Sequence, residues 1–148
     1  MFSLIFLLGC SEKDNDTAVD LAEEEVAGSS FDCTQDYAMC SMLSVPEDFT
    51  GTPRNLTIVL YSELPPLGPP DVILDQIDAP EIGSDNDYAV ELHPITATGD
   101  YHLFISLYME GGGEWMPEPG IDYSLTTDKI TFDGSAVELG SLDLILAE

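Results

Sequence analysis

Several residues in this sequence have types and spacings that could do chemistry, and each has a plainer reading beside it. Asp85-Asn86-Asp87 offers alternating oxygen ligands of the kind a Ca²⁺ loop presents, with Asp78 or Glu81 as further donors. It lacks the glycine and terminal glutamate of an EF-hand loop, and a turn built from Asx residues accounts for the same letters. Weakly held Ca²⁺ at Asp85 and Asp87 is therefore the one cofactor the sequence admits. Glu114 and Glu118 stand together in a glycine- and proline-rich loop. Paired carboxylates suit glycoside cleavage when a cleft fixes their separation. His93 and His102 each sit at the end of an expected strand, with no G-x-S-x-G elbow to supply a nucleophile. No catalytic residue is assigned, and the chain is not read as an enzyme.

Trp115, the single tryptophan, lies in the same loop as the two glutamates. Either it folds back as a lid over the open end of the core, as the usual burial of tryptophan implies, or it stands out as a binding anchor. Phe104 and Tyr108 share a strand face, as do Val59 and Tyr61. If those two strands are neighbours, the four side chains form an aromatic patch that a partner or a second copy could cover. Trp115, Tyr108 and Phe104 are the candidate ligand-binding residues.

The cysteines carry different chemistry. Met1 to Leu8 holds no charge, and its apolar run is too short to span a bilayer, which takes about 20 residues. It suits the apolar core of an export signal, although Met1-Phe2-Ser3 carries none of the usual positive charge. The run ends in Leu7-Leu8-Gly9-Cys10, which resembles the lipobox of bacterial lipoproteins. The resemblance implies cleavage before Cys10, acylation of its thiol, and attachment to the lipid bilayer through that residue. One acyl chain binds a membrane marginally, whereas two or more hold firmly. With Cys10 committed to lipid, Cys33 and Cys40 remain as an even pair. An exported chain enters an oxidising compartment, so the expected state is a Cys33–Cys40 disulfide, worth ~2–3 kcal/mol for so small a loop.

Composition narrows the partners. Three basic residues against 29 acidic ones give a net charge of −26. Phosphate contacts need Lys and Arg, so nucleic acid is excluded, and adsorption to anionic headgroups is disfavoured. The acidity itself fits either a saline habitat, where salt screens the repulsion, or divalent-cation binding. Residues 11–30 read SEKDNDTAVDLAEEEVAGSS, with seven acids, one lysine and no aromatic. Such a segment cannot bury enough apolar area to offset its ordering entropy, and self-repulsion extends it. The expected organisation is a signal peptide over 1–9, a lipidated acidic tether over 10–30 and a folded domain over 31–148.

That domain must position the candidate residues. It alternates apolar and polar residues between Pro/Gly turns and has no sustained helical period. A first strand is expected around Met42, Leu43 and Val45. Others follow at 56–61, at 71–77 as an edge strand, at 88–92 and at 101–109, the strongest. Short strands at 123–126, 129–132, 137–139 and 142–146 close the chain, with Leu142, Leu144 and Leu146 inward. The fold class is all-β, an antiparallel β-sandwich of seven or eight strands. The pattern over 54–147, including Gly99-Asp100-Tyr101-His102-Leu103-Phe104, resembles immunoglobulin-like and transthyretin-like modules of bacterial exported proteins. That likeness implies a fold and carries no function. The expected function is a non-enzymatic binding, adhesion or scaffolding module of the cell envelope, held at the outer membrane, with an envelope protein or glycan as partner. The alternative is an envelope-polymer hydrolase, or hydrolase accessory, working through Glu114 and Glu118.

Overall fold

A computed structural model gives the fold of residues 32–148. The expectations for Cys10 and for segments 1–9 and 10–30 lie outside the described residues. Eight strands form in chain order: β1 (Met39–Ser44), β2 (Pro53–Tyr61), β3 (Val72–Asp78), β4 (Asp87–Leu92), β5 (Gly99–Met109), β6 (Tyr123–Phe132), β7 (Val137–Asp143) and β8 (Ile145–Leu146). They make two sheets, one ordered β4-β1-β7 and the other β3-β2-β5-β6-β8. The architecture is an all-β sandwich, and there is no helix among the described residues.

The core follows from the period of two along β2 and β5. Leu56, Ile58 and Leu60 lie opposite Leu107, Ile105 and Leu103 across the antiparallel pair. All six are at most 1 % exposed and face the three-stranded sheet, which contributes Met39, Leu43 and Val90. Burying a side chain of this size is worth about 1.5–3 kcal/mol, so this layer dominates the stability. The ring of Phe49, from the connection before β2, packs 5.4 Å from that of Tyr123 and helps close one margin of the core.

The structure departs from the sequence reading at several joints. The sandwich is not wholly antiparallel, because β1 runs parallel to β7. The two short strands expected at 123–126 and 129–132 are one continuous β6. The break lies instead in the pairing, where the β5–β6 register shifts between His102 and Phe104. The segments at 137–139 and 142–146 also divide differently. Gly140, at φ +65°, is carried inside β7, and only Ile145 and Leu146 form β8. Leu144 is buried as expected, but Leu146 is 43 % exposed on the sheet edge and is not a core residue.

Cys33 and Cys40 are bonded, with Cα atoms 5.8 Å apart, and tie the entry segment to β1. β3 is an edge strand, as the preceding proline-rich loop implies. That loop is closed at its base by Asp71, whose amide donates to Leu60 O at 3.0 Å while its carboxylate accepts the Ser62 amide at 2.6 Å. The hydrogen bonds from Ser62 hold the Asp71 carboxyl below the usual carboxylate range.

Candidate functional site

The outward face of β3, β2 and β5 forms a groove of about 600 Å³. Its floor is built in cross-strand rows. Asn55 pairs with Asp78 on one side and Tyr108 on the other, and Thr57 with Gln76 and Ser106. Val59 then lies opposite Ile73 and Phe104, and Tyr61 closes the far end opposite His102. The floor thus grades from amide, carboxylate and hydroxyl groups to apolar and aromatic ones within three neighbouring strands. Tyr61 and Phe104 meet edge to face, with centroids 5.9 Å apart and planes at 85°, a favoured aromatic geometry.

The wall is the loop between β5 and β6. Trp115 is 90 % exposed at the groove's edge. It is not a lid over the core. General burial preference misleads here because the loop is held by other groups and needs no help from the indole. Asp122 is the principal holder. Its carboxylate is fully buried and accepts three backbone amides: Met109 at 2.8 Å, and Gly113 and Glu118 each at 2.7 Å. A buried carboxylate is tolerable only when bonded in this way. The loop wraps so closely that a Cβ on Gly112 would overlap that carboxylate, and one on Gly113 would overlap the Met116 carbonyl. The glycines are therefore a packing requirement of the clasp.

Arg54 is the second holder. Its guanidinium donates to the Gly113 carbonyl and lies 5.9 Å from the centroid of the Tyr108 ring, within cation–π range. Among the described residues it forms no ion pair. Burial pushes the Tyr108 phenol above its ordinary pKa, and the nearby Asp122 charge adds to that. Burial does the same to Tyr61, with the Asp71 charge contributing. Ser106 Oγ is sealed from solvent and has no hydrogen-bond partner, the one such side-chain atom among the described residues. It is near enough to Tyr108 to affect its acidity but outside hydrogen-bond geometry.

The structure thus gathers Trp115, Tyr108 and Phe104 into one groove, together with Val59 and Tyr61 of the expected patch. It also places Glu114 there, while Glu118 is not among the lining residues. Asp85 and Asp87 lie apart from the groove, Asp85 in the turn that leads into β4 and Asp87 at the first position of that strand. Asp87 accepts the Ser44 hydroxyl at 2.9 Å, and Asn86 takes φ +62° with its amide on Pro46 O. Among the described residues no three His, Cys, Asp or Glu side chains gather as a metal site, so Asp85 and Asp87 have no third such ligand. His102 is bound through Nδ1 to Thr127 O at 2.8 Å, and His93 is exposed.

No family model matches the chain, and no curated protein or solved structure is significantly similar to it. The site must therefore be read from its own chemistry.

Sequence reasoning missed Asp122, Arg54 and Ser106. Asp122 left a signal: one acid between Ile121 and Tyr123 at the start of a strand, after a run of three glycines. Arg54 was visible only as part of a charge count. Ser106 left none, since a serine on a strand's polar face looks ordinary. A smaller hollow of about 230 Å³ on the outer face of the other sheet is lined by the disulfide, Met42 and Glu138, without an aromatic ring.

Proposed function

We propose that the chain is an exported lipoprotein, anchored at the outer membrane through acylated Cys10, whose β-sandwich is a non-enzymatic binding module of the cell envelope. The observation that carries the binding reading is the groove. It combines three rings from strands, a fully presented indole and a row of polar groups, on a surface that leaves the core untouched. Exposed aromatics held on a rigid scaffold are the usual anchors of recognition, because little freedom is lost on binding.

The hydrolase alternative has less support. Glu114 stands in the groove without Glu118, and the other carboxylate there is Asp78. Both Glu114 and Asp78 are solvent-exposed, whereas a general acid for glycoside cleavage is held in a dry pocket.

The test is retention of the full chain on isolated envelope fractions, with wild type beside Trp115→Ala and Tyr108→Phe, and with Cys10→Ala carried through cell fractionation. Retention that falls in the Trp115 variant while folding is preserved is the expected result. Equal retention of both variants removes the groove. Equal partition of wild type and Cys10→Ala into the soluble fraction removes the anchor.

A further inference from the structure

The groove's lining restricts what class of molecule it can take. Its one cation, Arg54, is already engaged by the Gly113 carbonyl and the Tyr108 ring. Asp78 and Glu114 are the other charged residues in the lining, and the chain as a whole carries −26. An anionic ligand would enter against this field without a free positive partner. A cationic ligand would be drawn by the same field, but it would meet Arg54 beside Tyr108 and would leave the amide and hydroxyl row without a role. The class that uses both halves of the lining is neutral and two-sided, with apolar faces for the rings and hydroxyl groups for the polar side chains.

The polar row is arranged for such a ligand. Thr57 donates its hydroxyl to Asn55 Oδ1 at 2.6 Å, and Asn55 donates its amide to Ile77 O and to Asp78, each at 3.2 Å. These bonds fix the orientation of three groups before anything binds. Gln76 lines the groove from the exposed edge strand, and its side-chain amide has no partner among the described residues. Ser106 Oγ beneath them is an unmet hydrogen-bonding group. The floor from Asn55 to Tyr61 runs for about 20 Å at the strand rise, and the volume falls within the usual range for small-ligand sites.

We propose that this groove binds a short neutral oligosaccharide, with Trp115 as the stacking platform for a sugar face and Thr57, Gln76 and Asp78 as the groups that bond its hydroxyls. The inference rests on the binding-module reading above and names the ligand class for the same site. Sugar rings present C–H faces that pack on indole and phenol, and their hydroxyls satisfy amides and carboxylates without asking for charge. The main chain on either side of Trp115 is held in advance by the clasp on Asp122 and by Arg54, so binding has to order the indole but not the loop that carries it.

The test is calorimetric titration of the full chain in detergent with neutral trimers of glucose, mannose and N-acetylglucosamine, and with a galacturonic acid trimer as the anionic probe. At least one neutral trimer is expected to bind. Its affinity should fall about tenfold or more in Trp115→Ala, and by less in Gln76→Ala, both variants melting as wild type does. The galacturonic acid trimer should not bind. Binding of the uronate in preference to the neutral trimers overturns the charge argument. Neutral binding that is indifferent to both substitutions overturns the site. No neutral binding at millimolar ligand overturns the sugar class. If Trp115-dependent retention on envelope fractions persists in that last case, the binding-module reading survives its failure. A dimer that Trp115→Ala converts to monomer would show the groove to be filled by a second copy, and would overturn the proposal.

Discussion

The two faces of β2 and β5 use the same stretches of chain and differ in nearly every physical respect. On the inner face, six aliphatic side chains meet in register and are sealed. On the outer face, the residues between them are Thr57, Val59, Tyr61, Phe104, Ser106 and Tyr108, a mixture that no second sheet covers. The inner face is interchangeable material, for which volume and apolarity matter most. The outer face is specific material: it holds an orphaned hydroxyl, two phenols whose pKa burial raises, and a wall built by a remote carboxylate. The contrast shows where stability and recognition part company within one pair of strands.

The largest effect should come from the inner face. Ile58→Ala removes a fully buried side chain between Leu56 and Leu60, and such truncations cost about 2–5 kcal/mol. Chemical denaturation should show that loss. A cost as small as that of an outer-face substitution would erase the distinction between the faces.

Next comes the support of the outer wall. Asp122→Asn puts an amide nitrogen or a weaker acceptor where three backbone N–H groups converge, at a cost of about 3 kcal/mol. The loop should open to limited proteolysis between Glu110 and Ile121 while the sheets persist. Unchanged protease resistance would show that the loop stands without its clasp.

A smaller effect should appear at alkaline pH. The Tyr108 and Tyr61 phenols are raised above the ordinary value of 10.0, chiefly by burial. The folded state therefore keeps protons that the unfolded state releases first. The stability tied to them is complete below pH 10 and is lost as pH rises from there through the folded values. Melting temperature against pH should fall in this window, and less steeply in Tyr108→Phe. An identical slope in that variant would place the loss elsewhere.

The smallest effect separates the faces most cleanly. Ser106→Ala removes a buried hydroxyl that has no partner, so it should be neutral or stabilising by up to about 1 kcal/mol. A clear destabilisation would mean that Oγ is already satisfied, and it would withdraw one of the groove's unmet groups.

Much of this contrast was legible in the sequence. Alternation along 56–61 and 101–109 assigns every residue of the two strands to a face, because the strand period is two. The aromatic patch of Val59, Tyr61, Phe104 and Tyr108 depended on those strands being neighbours, and the β2–β5 pairing makes them so. Pairings distant in sequence were not legible. The parallel contact of β1 with β7 leaves no local mark, since each strand reads the same whichever partner it has. Gly140 looked like a break between strands because its left-handed φ is invisible in the letters. The average habit of tryptophan points to burial, whereas the loop that carries Trp115 is held by Asp122, seven positions away, and leaves the indole exposed.

The manner in which Asp122 holds its loop has a wider consequence. All three of its bonds go to main-chain nitrogens, at Met109, Gly113 and Glu118. Main-chain donors are alike for every residue except proline. The clasp is therefore blind to the side chains at positions 114–117, which include the indole at the rim of the groove. Those four positions form a replaceable cassette on a fixed frame. Exchanging them should redraw what the groove accepts and leave the frame as it stands.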